Sequence, residues 1–286
     1  MHVVAPATVA VPAAGRLALL KRLASAVVLL PVFLLIVVKA PDFLFNALVV
    51  LASAVALWEL MRLFEQGGRP VYRVLGVTAG IAVTASFAAA RMIDPTTLPA
   101  FALALAVGAV LSAPLWDRTP STEPAANTLL AILYVGWLLG YGILLHHTSP
   151  IGAELVIFLV GVTWIGETSA YLVGSAIGRH HLAPVISPKK TVEGAVAQVV
   201  VSVISAALLG AWLLPQCGMA VAVAGGALLG VVGQVGDLAE SVIKRSVGTK
   251  DTGRLIPGHG GVLDRIDSLL FNLPAFYYFT LLVGCR

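Results

Sequence analysis

The sequence predicts an all-α fold: a polytopic integral membrane bundle of about nine transmembrane helices, with the N-terminus cytoplasmic. Three observations carry that expectation. Hydrophobic residues make up 59% of the 286 and charged residues 11%, for a mean hydropathy of +0.96, a balance far from that of soluble domains. Apolar runs of roughly 18–20 residues, enough to cross a bilayer, recur along the chain. Positive charge alternates from loop to loop, as it does when every second loop faces the cytoplasm.

Taken in order, the first fifteen residues, MHVVAPATVAVPAAG, are small and uncharged and read as a loose tail, residues 1–15. Spans are expected near residues 20–38, 43–62, 74–92, 98–116 and 125–146 in a first part, residues 16–150. Four more, near 152–177, 193–214, 219–243 and 265–284, fill residues 151–286 of the same integrated membrane domain. The apolar run from Leu23 to Val38 is long for a cleaved leader, and Pro41 follows the one plausible cleavage position at Ala40, so the first span is expected to stay in place.

Nine spans with the N-terminus inside put fifteen of the eighteen lysines and arginines on one side. They are Arg16, Lys21 and Arg22, then Arg62, Arg69 and Arg73, then Arg118, then Arg179, Lys189 and Lys190, and finally Lys244, Arg245, Lys250, Arg254 and Arg265. The pI of about 9.2 therefore mainly reports topology, with attraction for anionic lipid and nucleotide added. Cys217 and Cys285 fall near the outer ends of spans without metal-ligand spacing, which leaves a disulfide open.

The first five spans offer little chemistry. Glu59 and Arg62, one turn apart after Trp58, read as an interfacial charge pair, and His146 and His147 as interface residues. The second half differs. WIGETSAYLVGSAIGRHHLAPVISPKKTVEG, residues 164–194, holds Glu167 inside an apolar span, where a carboxylate needs a partner or a cavity. Gly174 and Gly178 form a GxxxG pair that suits close helix packing. Ser187-Pro188 looks like an N-cap with proline at the first helical position, which would gather Lys189, Lys190 and Thr191 at a helix tip, either as an anion site or as a membrane-interface anchor.

Ten of the thirty-two charged residues fall within residues 236–268, GDLAESVIKRSVGTKDTGRLIPGHGGVLDRIDS. Charge within a membrane helix costs roughly 2.5–3.5 kcal/mol per residue at its centre, so a concentration like this marks a site. Asp237, Glu240, Ser241 and Lys244 share one helical face, on which Glu240 and Lys244 have the favoured i, i+4 pairing order. Gly248 ends the helix, and Gly253, Pro257, Gly258, Gly260 and Gly261 keep the chain irregular, so backbone N–H groups can approach phosphate oxygens.

The segment SVIKRSVGTKDTGRLIPGHGGVLDRID resembles the signature of the phosphatidate cytidylyltransferases, or CDP-diacylglycerol synthases: SxxKR, KD, a glycine and proline loop, HGG, then DRxD. SPKKTVEG resembles the same family's SPxKTxEG segment, so the likeness covers roughly residues 160–275, with Glu167 standing where the family has aspartate. It implies that the phosphate of phosphatidate attacks the α-phosphorus of CTP, with one or two Mg²⁺ bridging the two. The chain has no GxxxxGK[ST] loop and no nucleophilic-serine elbow, and the reaction needs neither.

On this reading Asp237 and Asp264 are the expected metal ligands, joined by Glu167 if its role is not structural, and Lys244 and Arg265 assist catalysis. Ser187, Lys189, Lys190, Thr191, Glu193, Arg245, Lys250, Asp251, His259 and Asp267 are assigned to substrate binding, with His259 either touching pyrophosphate or shaping the loop. Asp264 also suits an N-cap of the last helix, and Asp237 an intrahelical pair with Lys244. Gly226, Gly230 and Gly233 imply close helix contacts within one chain or across a homodimer. A transporter should show matching broken helices in both halves, and a phosphoalcohol transferase a DGxxAR-type array; neither pattern is present.

Overall fold

The computed structural model describes residues 30–90, 97–118, 120–249, 252–253 and 260–285. Within these residues the apolar segments fold as helices in the expected order. Two of these are under 18 residues as far as the described residues go, α1 (Leu30–Lys39) and α3 (Arg73–Ala89). Among the described residues seven are long and apolar enough to cross a membrane. They are α2 (Asp42–Gln66), α4 (Thr97–Ser112) with its 3-10 extension to Trp116, a composite of α5 (Glu123–Ala131), a π-helical turn (Ile132–Trp137) and α6 (Leu138–His146), then α7 (Gly152–Ile177), α8 (Val192–Leu213), α9 (Met219–Ser246) and α10 (Leu263–Val283).

The composite helix lies at the centre. Of its apolar stretch 72% is buried, against 17% for α4, so the first is a core element and the second presents its surface to lipid. Leu208, Trp212 and Leu282 are likewise exposed, as an apolar solvent allows. The remaining helices form a chain of neighbours in which α7 packs on α8, α8 on α9 and α9 on α10, while α10 also touches α6 and joins the two halves.

Small residues let these helices approach closely. A Cβ on Gly226 would stand 2.7 Å from the Ser202 carbonyl oxygen of α8, and one on Gly236 would stand 2.9 Å from the Asp267 carbonyl oxygen of α10. Gly230 and Gly233 face α8 and α10 in the same way, so the contacts expected of the glycine face are made within one chain.

Between α7 and α8 the chain forms an antiparallel hairpin, β1 (His181–Ala183) with β2 (Ser187–Thr191), His181 opposite Thr191 and Ala183 opposite Ser187. This corrects the capping expectation. Ser187 and Pro188 are strand residues, and Thr191 caps α8 by accepting the Gly194 N–H at 3.2 Å. The reason lies in packing: Cβ atoms on Gly174 and Gly178 would stand 2.9 and 2.7 Å from Thr191 Oγ1, so the GxxxG pair of α7 makes room for this cap.

Cys217 and Cys285 form a disulfide with Cα atoms 5.1 Å apart. It ties the start of α9 to the end of α10 at one end of the bundle. At the other end lie the basic hairpin and the charged segment.

Candidate active site

Five elements converge at that second end: the last turns of α2, α7 and α9 and the first turns of α8 and α10. The contact of Gly236 with the Asp267–Ser268 backbone brings α9 and α10 together where both carry carboxylates. As a result Asp237, Glu240 and Asp267 each offer an oxygen within 4.8 Å of the others. Asp237 and Glu240 are one turn apart on α9, and Asp267 meets them from α10.

The group fits a hard cation. All its donors are carboxylate oxygens, the kind a divalent ion such as Mg²⁺ takes. Glu240 Oε1 is moreover buried without a hydrogen-bond partner among the described residues, a costly arrangement in an apolar interior unless a cation satisfies it.

Two lysines flank the group. Lys190 reaches across from β2 to Asp237, with Nζ to Oδ2 2.6 Å. Lys244 Nζ sits 2.5 Å from Glu240 Oε2 and 3.0 Å from Asp264 Oδ1. The i, i+4 pair of Glu240 and Lys244 thus forms as the spacing implied, while Asp237 pairs with Lys190 and not with Lys244.

Asp264 occupies a different place from Asp267. It accepts from Lys244 and from the backbone N–H groups of Gly261, at 2.9 Å, and Thr252, at 3.2 Å, so it closes the base of the glycine loop. A metal shared by Asp237 and Asp264 was expected from the sequence; the carboxylates that stand together are Asp237, Glu240 and Asp267.

A cavity of about 560 Å³ opens beside the group, lined by Glu167, Lys189, Lys190, Thr191, Gln234 and Asp237 among others. Glu167 is half-buried and close enough to Asp267, Asp237 and Lys190 to interact with their charges. Gln234 donates to the Ala195 carbonyl oxygen at 2.8 Å, which fixes its amide and pins α9 to α8 at the cavity wall.

Other expected site residues build the frame. Glu193 accepts from the backbone N–H groups of Arg179, at 3.1 Å, and His180, at 3.3 Å, and lies 2.7 Å from His180 Nδ1, so it holds the turn that opens the hairpin. Arg245 donates to the carbonyl oxygens of Ile186 and Thr249 and ties the hairpin to the end of α9. Arg265 is exposed on the first turn of α10. Lys250, Asp251 and His259 lie outside the described residues.

Glu59 also lies elsewhere than its sequence context suggests. It is buried, 6% exposed, and accepts the Leu263 N–H at 2.9 Å across 204 residues of sequence, so it is no surface pair with Arg62. The signal was there, since a carboxylate inside an apolar span asks the same question at position 59 as at 167.

A cytidylyltransferase family model matches residues 20–283. A phosphatidate cytidylyltransferase of Bacillus subtilis (strain 168) is 32% identical over 253 residues, 86% of this chain and 91% of that protein. An uncharacterized protein, YnbB, of Escherichia coli (strain K12) is 42% identical over 154 residues, and a phosphatidate cytidylyltransferase of Staphylococcus saprophyticus is 41% identical over 150. For these two the match spans about half of each relative, 50% and 56%. Matched along nearly its whole length by the family model and over most of it by the Bacillus protein, the chain belongs to the cytidylyltransferase family.

Proposed function

We propose that the chain condenses CTP with phosphatidate at the cytoplasmic face of the cell membrane, giving CDP-diacylglycerol and pyrophosphate for phospholipid synthesis. The observation that carries this reading is the cavity lined by Asp237 together with Lys189, Lys190 and Thr191, at the end of an apolar bundle. Phosphoryl chemistry asks a protein chiefly to bring anions together and to neutralise the charge that develops.

In the reaction a phosphate oxygen of phosphatidate forms a bond to the α-phosphorus of CTP, the α–β P–O bond breaks, and pyrophosphate leaves with the electron pair. The attacking group is already an anion, so no side chain has to remove a proton. Asp237, Glu240 and Asp267 would hold Mg²⁺, which supplies Lewis-acid charge where the two phosphates meet. Lys189, Lys190 and the Thr191 hydroxyl are placed to take phosphate oxygens, and the Lys190–Asp237 pair keeps the lysine at the rim until an anion arrives.

Two independent features support a cytoplasmic site. Positive residues concentrate at this end, and the Cys217–Cys285 disulfide, at the opposite end, suits an oxidising compartment. Nothing in the glycine contacts calls for a homodimer, since α8 and α10 of the same chain fill them.

The test is incubation of purified protein with labelled CTP, phosphatidate and Mg²⁺. Label should enter lipid and pyrophosphate should appear in equal amount, and both should stop on chelation. Pyrophosphate release that ignores phosphatidate, or no incorporation at all, would overturn the reading.

A further inference from the structure

We infer that Glu59 is a positioning residue of this site: from α2 it caps the start of α10 and so sets where Asp264 and Asp267 stand. The inference rests on the proposed role of the carboxylate group as a metal site.

Every helix begins with backbone N–H groups that have no partner inside the helix. Val262 precedes α10 and makes no side-chain cap. The cap comes from elsewhere: Glu59 Oε2 accepts the Leu263 N–H at 2.9 Å.

The fit around this carboxylate is close. A Cβ on Gly253 would stand 2.8 Å from Glu59 Oε1, and a Cβ on Gly261 would stand 2.7 Å from Oε2. The two ends of the glycine loop therefore close on Glu59, and a side chain at either position would push its carboxylate aside. Asp264 binds the same two ends through the N–H groups of Thr252 and Gly261. Glu59 and Asp264 together fix the loop base and the first turn of α10, and Asp267, three residues on, inherits that position. A carboxylate in the N-terminal half thereby controls the geometry of a site whose other parts lie after residue 166. Displacements of about 1 Å in such a group are enough to cost activity.

The test uses the full chain in detergent with Glu59→Ala, Glu59→Asp and Glu59→Gln, reading Mn²⁺ affinity by electron paramagnetic resonance together with kcat and KM. Glu59→Ala and the shorter Glu59→Asp should weaken Mn²⁺ binding and lower kcat by about tenfold or more, the usual scale for a group that orients metal ligands. KM for CTP should move little, and Glu59→Gln, which keeps an acceptor for Leu263, should recover most of the loss. If Glu59→Ala does not fold, Glu59→Asp decides. Wild-type Mn²⁺ affinity and kcat in Glu59→Asp, or a Glu59→Gln variant no better than Glu59→Asp, would overturn the inference. Asp267→Asn is the control. If it binds Mn²⁺ as tightly as wild type, the metal reading falls, and Glu59 is then judged on kcat and the glutamine rescue alone.

Discussion

Replacing Lys244 with methionine keeps the length of the side chain and removes its charge. In the structure Lys244 Nζ is 2.5 Å from Glu240 and 3.0 Å from Asp264, and those carboxylate side chains are 0% and 8% exposed. Breaking a buried pair from one side costs about 3–5 kcal/mol, because the remaining charge has neither water nor partner. With about 2–4 °C of Tm per kcal/mol in a chain of this size, Lys244→Met should melt on the order of 10 °C below wild type. The comparison variant is Lys190→Met. Its pair with Asp237 is 25% and 34% exposed, a setting where ion pairs contribute only about 0–1 kcal/mol, so its Tm should stay close to wild type while CTP turnover falls. Thermal unfolding in one detergent, followed for both variants, separates the two lysines. Adding Glu240→Gln to Lys244→Met should restore part of the loss, since it neutralises the stranded carboxylate. Lys244→Met melting within about 2 °C of wild type would refute the claim that this lysine holds a buried charge cluster together.

Further outcomes follow from the same geometry. Asp237→Asn and Asp267→Asn should each abolish Mg²⁺-dependent incorporation of CTP into lipid with little change in Tm, measured by labelled-product assay and thermal scan. Gly236→Ala should cut turnover strongly and cost about 1–3 kcal/mol of stability, because its new Cβ meets the Asp267 backbone oxygen at 2.9 Å and that oxygen cannot rotate away. Reduction of the Cys217–Cys285 disulfide should leave turnover unchanged when the protein remains folded, as the bond lies at the opposite end of the bundle.

Much of this arrangement was legible in the sequence because a membrane makes charge informative. The apolar runs gave the helices in order, and the charged segment marked one end of the bundle, since few residues elsewhere had reason to be polar. Three points were not legible in full. The choice between Asp264 and Asp267 depends on the rotation of α10 against α9. Gly236 sets that rotation by close contact, and residue spacing within one helix does not show it. Glu59 stands out as a carboxylate inside an apolar span, but its partner lies 204 residues away and nothing local names it. The start of α8 was misjudged by one strand. Ser187-Pro188 has the residues of a cap, but Thr191 wins it because Gly174 and Gly178 open a place for its side chain.

The central claim is that carboxylates of α9 and α10 form one cation site. Crystals grown with Mn²⁺ locate the ion directly from its anomalous scattering. A peak is expected between the carboxylates of Asp237 and Asp267 beside the Lys190 cavity. A peak elsewhere, with Asp237 and Asp267 making no contact to the ion, would contradict it.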